Sequence, residues 1–182
     1  MNAPTTLADA GIPMFMLQVP AMALALIPVV AIEAVAARRF FGLTPRDAFT
    51  GTAIANAIST VVGVPIACFA LFFVAAATEG GTIVGYDALW KRVLGTIISM
   101  VWLGPDEKNS YWMVPVAATA FLIPTFLLSV LIERWVLRFR WRAMEPHSVT
   151  RAAWLLNSMS YAFLFMLGLA WIAYALITHQ KT

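Results

Sequence analysis

Two glutamates, Glu33 and Glu133, and two Asn-x-x-Ser pairs, Asn56 with Ser59 and Asn157 with Ser160, are the residues whose types and spacing bear most on chemistry in this 182-residue chain. Each glutamate stands about a turn and a half of helix before an arginine, Arg38 or Arg138, near the end of an apolar run. Each asparagine sits early in the apolar run that follows, at a similar depth. An ionisable group placed so is a functional candidate, because burying charge in hydrocarbon is costly. Two readings follow. In the first, each glutamate is fastened: it accepts hydrogen bonds from the asparagine and serine of its own hairpin, or pairs with a basic residue such as Arg38, Arg39, Arg134 or Arg138. In the second, the two glutamates together form a cation or proton site. The first is favoured, since a carboxylate near the interface is not deeply buried.

Other chemistry is excluded by number and position. His147 and His179 lie outside the main apolar runs, neither with a second histidine at i+4, so axial haem ligation and metal catalysis both lack their ligands. Cys68 is the single cysteine and sits inside an apolar run, which leaves no internal disulfide and no thiolate metal site. Ser59 and Ser160 have no histidine at their depth to act as base, so their expected work is helix packing. No phosphate cradle accompanies Gly80-Gly81, which reads as a turn. The expectation is a non-enzyme without cofactor or metal.

The elements that must position these residues are set by composition. The chain is 62% hydrophobic and 12% charged, with mean hydropathy +0.83. Soluble domains carry roughly 45–50% apolar and about 25% charged residues, so this is a membrane protein with the lipid bilayer as its first partner. Four runs reach bilayer-spanning length: Ile12–Ala37, Ala53–Ala77, Trp112–Leu137 and Ala152–Ile177. The fold class expected is all-α, a single membrane domain over 1–182, with hairpins at 12–77 and 112–178 joined by an outer loop at 78–111. The N-terminal MNAPTTLADAG has no basic residue before the first apolar run, unlike a signal peptide, and reads as a mature end.

Arginine sets the orientation. Arg38, Arg39 and Arg46 flank the first short loop, and Arg134, Arg138, Arg140, Arg142 and Arg151 the second, together eight of the twelve basic residues. The positive-inside rule places both loops in the cytoplasm and both termini outside, in a plasma (inner) membrane. Arg134, Arg138, Arg140 and Arg142 continue the third helix beyond the bilayer, where they snorkel and can contact lipid headgroups or an acidic partner. No soluble basic domain exists to hold nucleic acid.

Local signals refine the picture. Thr44-Pro45-Arg46-Asp47 is a helix start, with a capping residue, proline at the first helical position and a carboxylate three residues after the cap. Between 87 and 103, apolar residues at helical spacing alternate with Lys91, Arg92, Thr96 and Ser99, which predicts an amphipathic helix in the outer interface. Trp135, Trp141 and Trp154 are expected in the inner aromatic belt. Gly51, Ala55, Ser59, Gly63 and Ala67 put a small residue at every fourth position of the second span, a stripe that lets a neighbouring helix approach closely. The stripe places that span at the centre of the bundle or serves self-association.

The halves resemble each other. Val19-Pro20 matches Val114-Pro115, Ile27-Pro28 matches Ile123-Pro124, Ile32-Glu33 matches Ile132-Glu133, Arg38 matches Arg138, and Asn56-x-x-Ser59 matches Asn157-x-x-Ser160. Because each unit holds two spans, the repeat is parallel, with its pseudo-twofold axis along the membrane normal. The function expected first is a non-catalytic accessory or scaffolding subunit, associating laterally with itself or with another membrane protein. The alternative is a small oligomeric channel or transporter for a cation or protons that uses Glu33 and Glu133.

Overall fold

A chain so apolar satisfies its backbone polar groups in a bilayer by forming helices, and helices are what form. The computed structural model describes residues 14–77 and 110–179. In order they are α1 (Met14–Phe41), α2 (Pro45–Ile58), a π-helical turn (Ser59–Gly63), α3 (Val64–Ala77), α4 (Ser110–Arg140) and α5 (Pro146–His179). The described residues contain no strand. The expected interfacial helix at 87–103 and most of the outer loop lie outside the described residues.

The helix ends are dictated locally. After Phe41 the chain turns at Gly42, whose φ of +66° is the left-handed geometry that glycine adopts without cost, and the Gly42 N–H donates to Arg38 O. Two residues later Thr44 caps α2 as its sequence signature predicts. Its Oγ1 accepts from the Asp47 N–H at 3.1 Å and lies 2.8 Å from Asp47 Oδ2. The second short connection is equally tight: Trp141 N–H closes on Leu137 O, and α5 starts at Pro146. Both helix pairs are thus forced into antiparallel hairpins.

Among the described residues, three stretches are long and apolar enough to cross a membrane: Pro45–Val74, Tyr111–Arg140 and Pro146–His179. The expected fourth span, Ile12–Ala37, overlaps α1, which is 28 residues long and carries Glu33, Arg38 and Arg39 in its second half.

The helices form a four-membered ring. α1 lies against α2, α2 against α4, α4 against α5, and α5 against α1. None of the described helices occupies a centre, which corrects the expectation that the second span would. The small-residue stripe is nonetheless used inside the chain: a Cβ on Gly51 would stand 2.5 Å from Trp141 Nε1, and one on Gly63 would touch Ile132 and Leu128 of α4. Ala55, Ser59 and Ala67 are buried as well. Trp141 therefore does not belong to an aromatic belt. It is buried in the vacancy left by Gly51, with its Nε1–H donating to Asp47 O at 3.2 Å, whereas Trp135 and Trp154 are exposed.

Packing divides the ring along its length. Toward the arginine-bearing end, Ala36, Ala37, Ala48, Ala55, Val136, Leu137, Val149, Ala152, Ala153 and Leu156 form a close core around Trp141. Toward the other end a smaller cluster of Val64, Ala67, Ala117 and Phe121 holds the helices. The glutamates lie between these two regions.

Candidate functional site

Alanine and glycine on facing surfaces bring the helices close enough for short polar side chains to meet across them. Glu33 on α1 and Glu133 on α4 are each 1% exposed. They stand on helices that are diagonal in the ring, and each is reached from both neighbouring helices. Asn56 Nδ2 of α2 donates to Glu33 Oε2 at 2.5 Å, and Ser160 Oγ of α5 lies 2.7 Å from Glu33 Oε1. Asn157 Nδ2 of α5 donates to Glu133 Oε2 at 2.7 Å, and Ser59 Oγ lies 2.9 Å from Glu133 Oε1. Every one of the four helix interfaces thus carries one side-chain hydrogen bond to a carboxylate oxygen.

All six polar residues picked out in the sequence converge here. The pairing differs from expectation in one respect: each glutamate takes the asparagine of its own hairpin but the serine of the other. The reason is helical geometry. Residues three apart at about 100° each are separated by roughly 60° around the axis, so Asn56 faces α1 while Ser59 faces α4, and Asn157 and Ser160 divide likewise. The alternative fastening by an arginine does not occur among the described residues. Arg38, Arg39 and Arg138 point outward and are exposed, and Arg134 is half-buried.

The donors behave differently from one another. Asn56 Nδ2 also meets Thr52 O, and Asn157 Nδ2 also meets Ala153 O, both at 3.0 Å. With two acceptors around it, each amide nitrogen is fixed as the donor, which settles the amide orientation. The serines have a choice. Ser59 Oγ is 3.1 Å from Asn56 O and Ser160 Oγ is 3.2 Å from Asn157 O, in addition to their carboxylate partners. A hydroxyl has one hydrogen and two lone pairs. Facing a carboxylate, the serine gives its hydrogen to the glutamate; facing a protonated carboxyl, it accepts from the glutamate and turns its hydrogen to the backbone carbonyl. The cluster is hydrogen-bonded in either charge state.

One polar atom is left over. Asn157 Oδ1 is buried without a hydrogen-bond partner, on a residue that is 0% exposed. Its counterpart in the first hairpin differs: Asn56 lines a cavity of about 490 Å³ that begins at Asn56 and Ser59 and extends away from the arginine-bearing end. The cavity passes between Met22, Leu26, Phe121, Leu164, Gly168 and Trp171. The π turn Ser59–Gly63 forms part of its wall and has no equivalent in the uninterrupted α5. Such turns recur where a helix is adapted for function.

Further polar residues in the cavity were not singled out from sequence. Ser129 Oγ and Tyr161 Oη are 2.9 Å apart, and the Thr119 and Thr125 hydroxyls donate to Pro115 O and Phe121 O. The available signal was small polar residues inside the apolar run of α4. Among the described residues no three His, Cys, Asp or Glu side chains gather as a metal set. The arginine group lies apart from this site, on the surface: Arg140 Nη2 donates to Thr50 Oγ1, and Arg142 Nε to Phe139 O. The chain matches no family model, no curated protein and no solved structure.

Proposed function

We propose that the protein is a multi-pass inner-membrane protein that handles protons or a cation at the paired glutamates. The observation that carries this reading is that two buried carboxylates are held by neutral donors alone among the described residues. Two bare charges in that setting carry a large desolvation cost with no counter-charge to offset it. A proton or a cation at the pair removes the cost, and the serines keep the hydrogen bonds whole as it comes and goes.

In this reading α1 completes four spans, the short arginine-rich loops face the cytoplasm, and the two hairpins are tandem copies. Burial at like positions supports the repeat: Glu33 with Glu133, Ala48 with Val149, Ala55 with Leu156, Asn56 with Asn157 and Ser59 with Ser160. No covalent chemistry is assigned. The small-residue stripe, one of the features that favour a scaffolding role, packs within the chain at Gly51 and Gly63.

The test is reconstitution. Liposomes containing the protein should pass protons or a monovalent cation down a gradient, and Glu33→Gln with Glu133→Gln should abolish that flux while the protein remains folded. Flux no greater than that of empty vesicles across these ions would sink the proposal and return the protein to a scaffolding role.

A further inference from the structure

The class of cation can be read from the cavity above the pair, an inference that rests on the ion-handling role just proposed. A volume of about 490 Å³ with largely apolar walls is the size of a small organic ligand's site, whereas an inorganic cation needs a cage of oxygens. The floor is polar, and hydrogen-bond accounting says what it lacks. Asn56 spends both amide hydrogens on Glu33 and Thr52 O, and Ser59 spends its hydrogen on Glu133 or Asn56 O. Thr119 and Thr125 donate to backbone carbonyls. Ser129 and Tyr161 bond each other and Tyr161 also meets Thr125, so among the described cavity-lining side chains Thr60 and the Trp171 indole are the donors these bonds leave uncommitted.

Lone pairs are what remain at the floor. Asn56 is 5% exposed and lines the cavity, and both of its side-chain hydrogen bonds leave from Nδ2, which leaves the Oδ1 lone pairs uncommitted. One hydrogen bond behind Asn56 and Ser59 stand the two carboxylates. An anion meets repulsion there, and a neutral apolar molecule leaves the floor unsatisfied. A bare ammonium ion would satisfy the floor but leave the apolar walls wet.

We infer that the cavity binds an amphiphilic cation bearing N–H donors, a primary alkylammonium or an alkylguanidinium. Its head sits on Asn56 Oδ1 and Ser59 Oγ, and its apolar body lies between Phe121, Leu164 and Trp171. The positive head, one hydrogen bond from the pair, favours release of a proton from Glu33 or Glu133 to the medium. Binding of the head and protonation of the pair therefore oppose each other.

The test is calorimetric titration of the full chain in lipid nanodiscs, with empty nanodiscs as blank and four probes: octylammonium, octyltrimethylammonium, octanol and ammonium chloride. Octylammonium should bind saturably with proton release, read from the dependence of the heat on buffer. It should bind at least about tenfold tighter than octyltrimethylammonium, which keeps charge and tail but has no N–H, and than octanol or ammonium. The Glu33→Gln, Glu133→Gln double variant should lose the proton release. Equal affinity for octylammonium and octyltrimethylammonium would overturn donor recognition, and equal affinity for octanol would reduce the cavity to an apolar slot. If octylammonium fails to saturate while glutamate-dependent flux persists in liposomes, this inference falls and the ion-handling role stands. If both fail, both fall.

Discussion

Ser160 Oγ lies 2.7 Å from Glu33 Oε1, although 127 positions separate the two residues. The contact ties the last helix to the first and closes a ring that Ser59 and Glu133 close on the opposite side. Each serine stands between a carboxylate oxygen and a backbone carbonyl, so it can follow a change of proton on the glutamate while serine and glutamate stay hydrogen-bonded.

Glutamine is the neutral likeness of a protonated glutamate in this setting. Its carbonyl oxygen can accept from Asn56 Nδ2, and its amide can donate to Ser160 Oγ while the serine hydrogen turns to Asn157 O. Glu33→Gln should therefore keep the melting temperature in detergent close to that of the unaltered protein. Glu33→Ala leaves two buried donors facing a cavity and should cost about 2–5 kcal/mol. Equal thermal stability of the two variants would show that the hydrogen bonds do not hold the ring.

Removing a serine takes a hydrogen bond from the glutamate in either charge state. Ser160→Ala deprives Glu33 Oε1 of its donor, a loss of about 1–3 kcal/mol when the glutamate is ionised. When the glutamate is protonated, its O–H is left without an acceptor. Ser160→Ala combined with Glu33→Gln should depart from the sum of the single effects by at least about 0.5 kcal/mol, measured as a thermal-unfolding cycle. Strict additivity would mean that the two side chains do not interact.

The asparagines, serines and glutamates were legible in the sequence because polar groups at bilayer depth stand out against an apolar background. The register of the hairpins was not. Which serine meets which glutamate depends on how α2 and α5 rotate against α1 and α4, and that rotation follows from vacancies such as the one Gly51 leaves for Trp141. A tryptophan next to arginines reads as an interfacial anchor, and only the packed structure shows it filling that vacancy. The cavity was equally hidden, since it arises where four helices part rather than from any single motif. The helix start at Thr44, by contrast, is a local hydrogen-bond pattern and was readable residue by residue.

The close approach at Gly51 can be tested by adding one methyl group. Gly51→Ala sets a Cβ against the buried indole of Trp141 and should destabilise by about 1–3 kcal/mol, with partial recovery in Gly51→Ala/Trp141→Phe. Gly63→Ala meets Ile132 Cδ1 at 3.4 Å and Leu128 Cβ at 3.7 Å, contacts close to ordinary, and should change stability far less. Unfolding temperatures of the three variants decide the point. Equal losses for the two alanine substitutions would contradict the packing described.

The central claim, that Glu33 and Glu133 exchange a proton or cation, is tested most directly by infrared difference spectroscopy of the purified protein across a pH titration. Protonated carboxyl and ionised carboxylate absorb at separate frequencies, and Glu33→Gln and Glu133→Gln assign the bands. The account predicts a buried carboxyl band that interconverts with a carboxylate band as pH changes and that disappears when both glutamates are replaced. A titration spectrum identical in the unaltered protein and the double variant would contradict it.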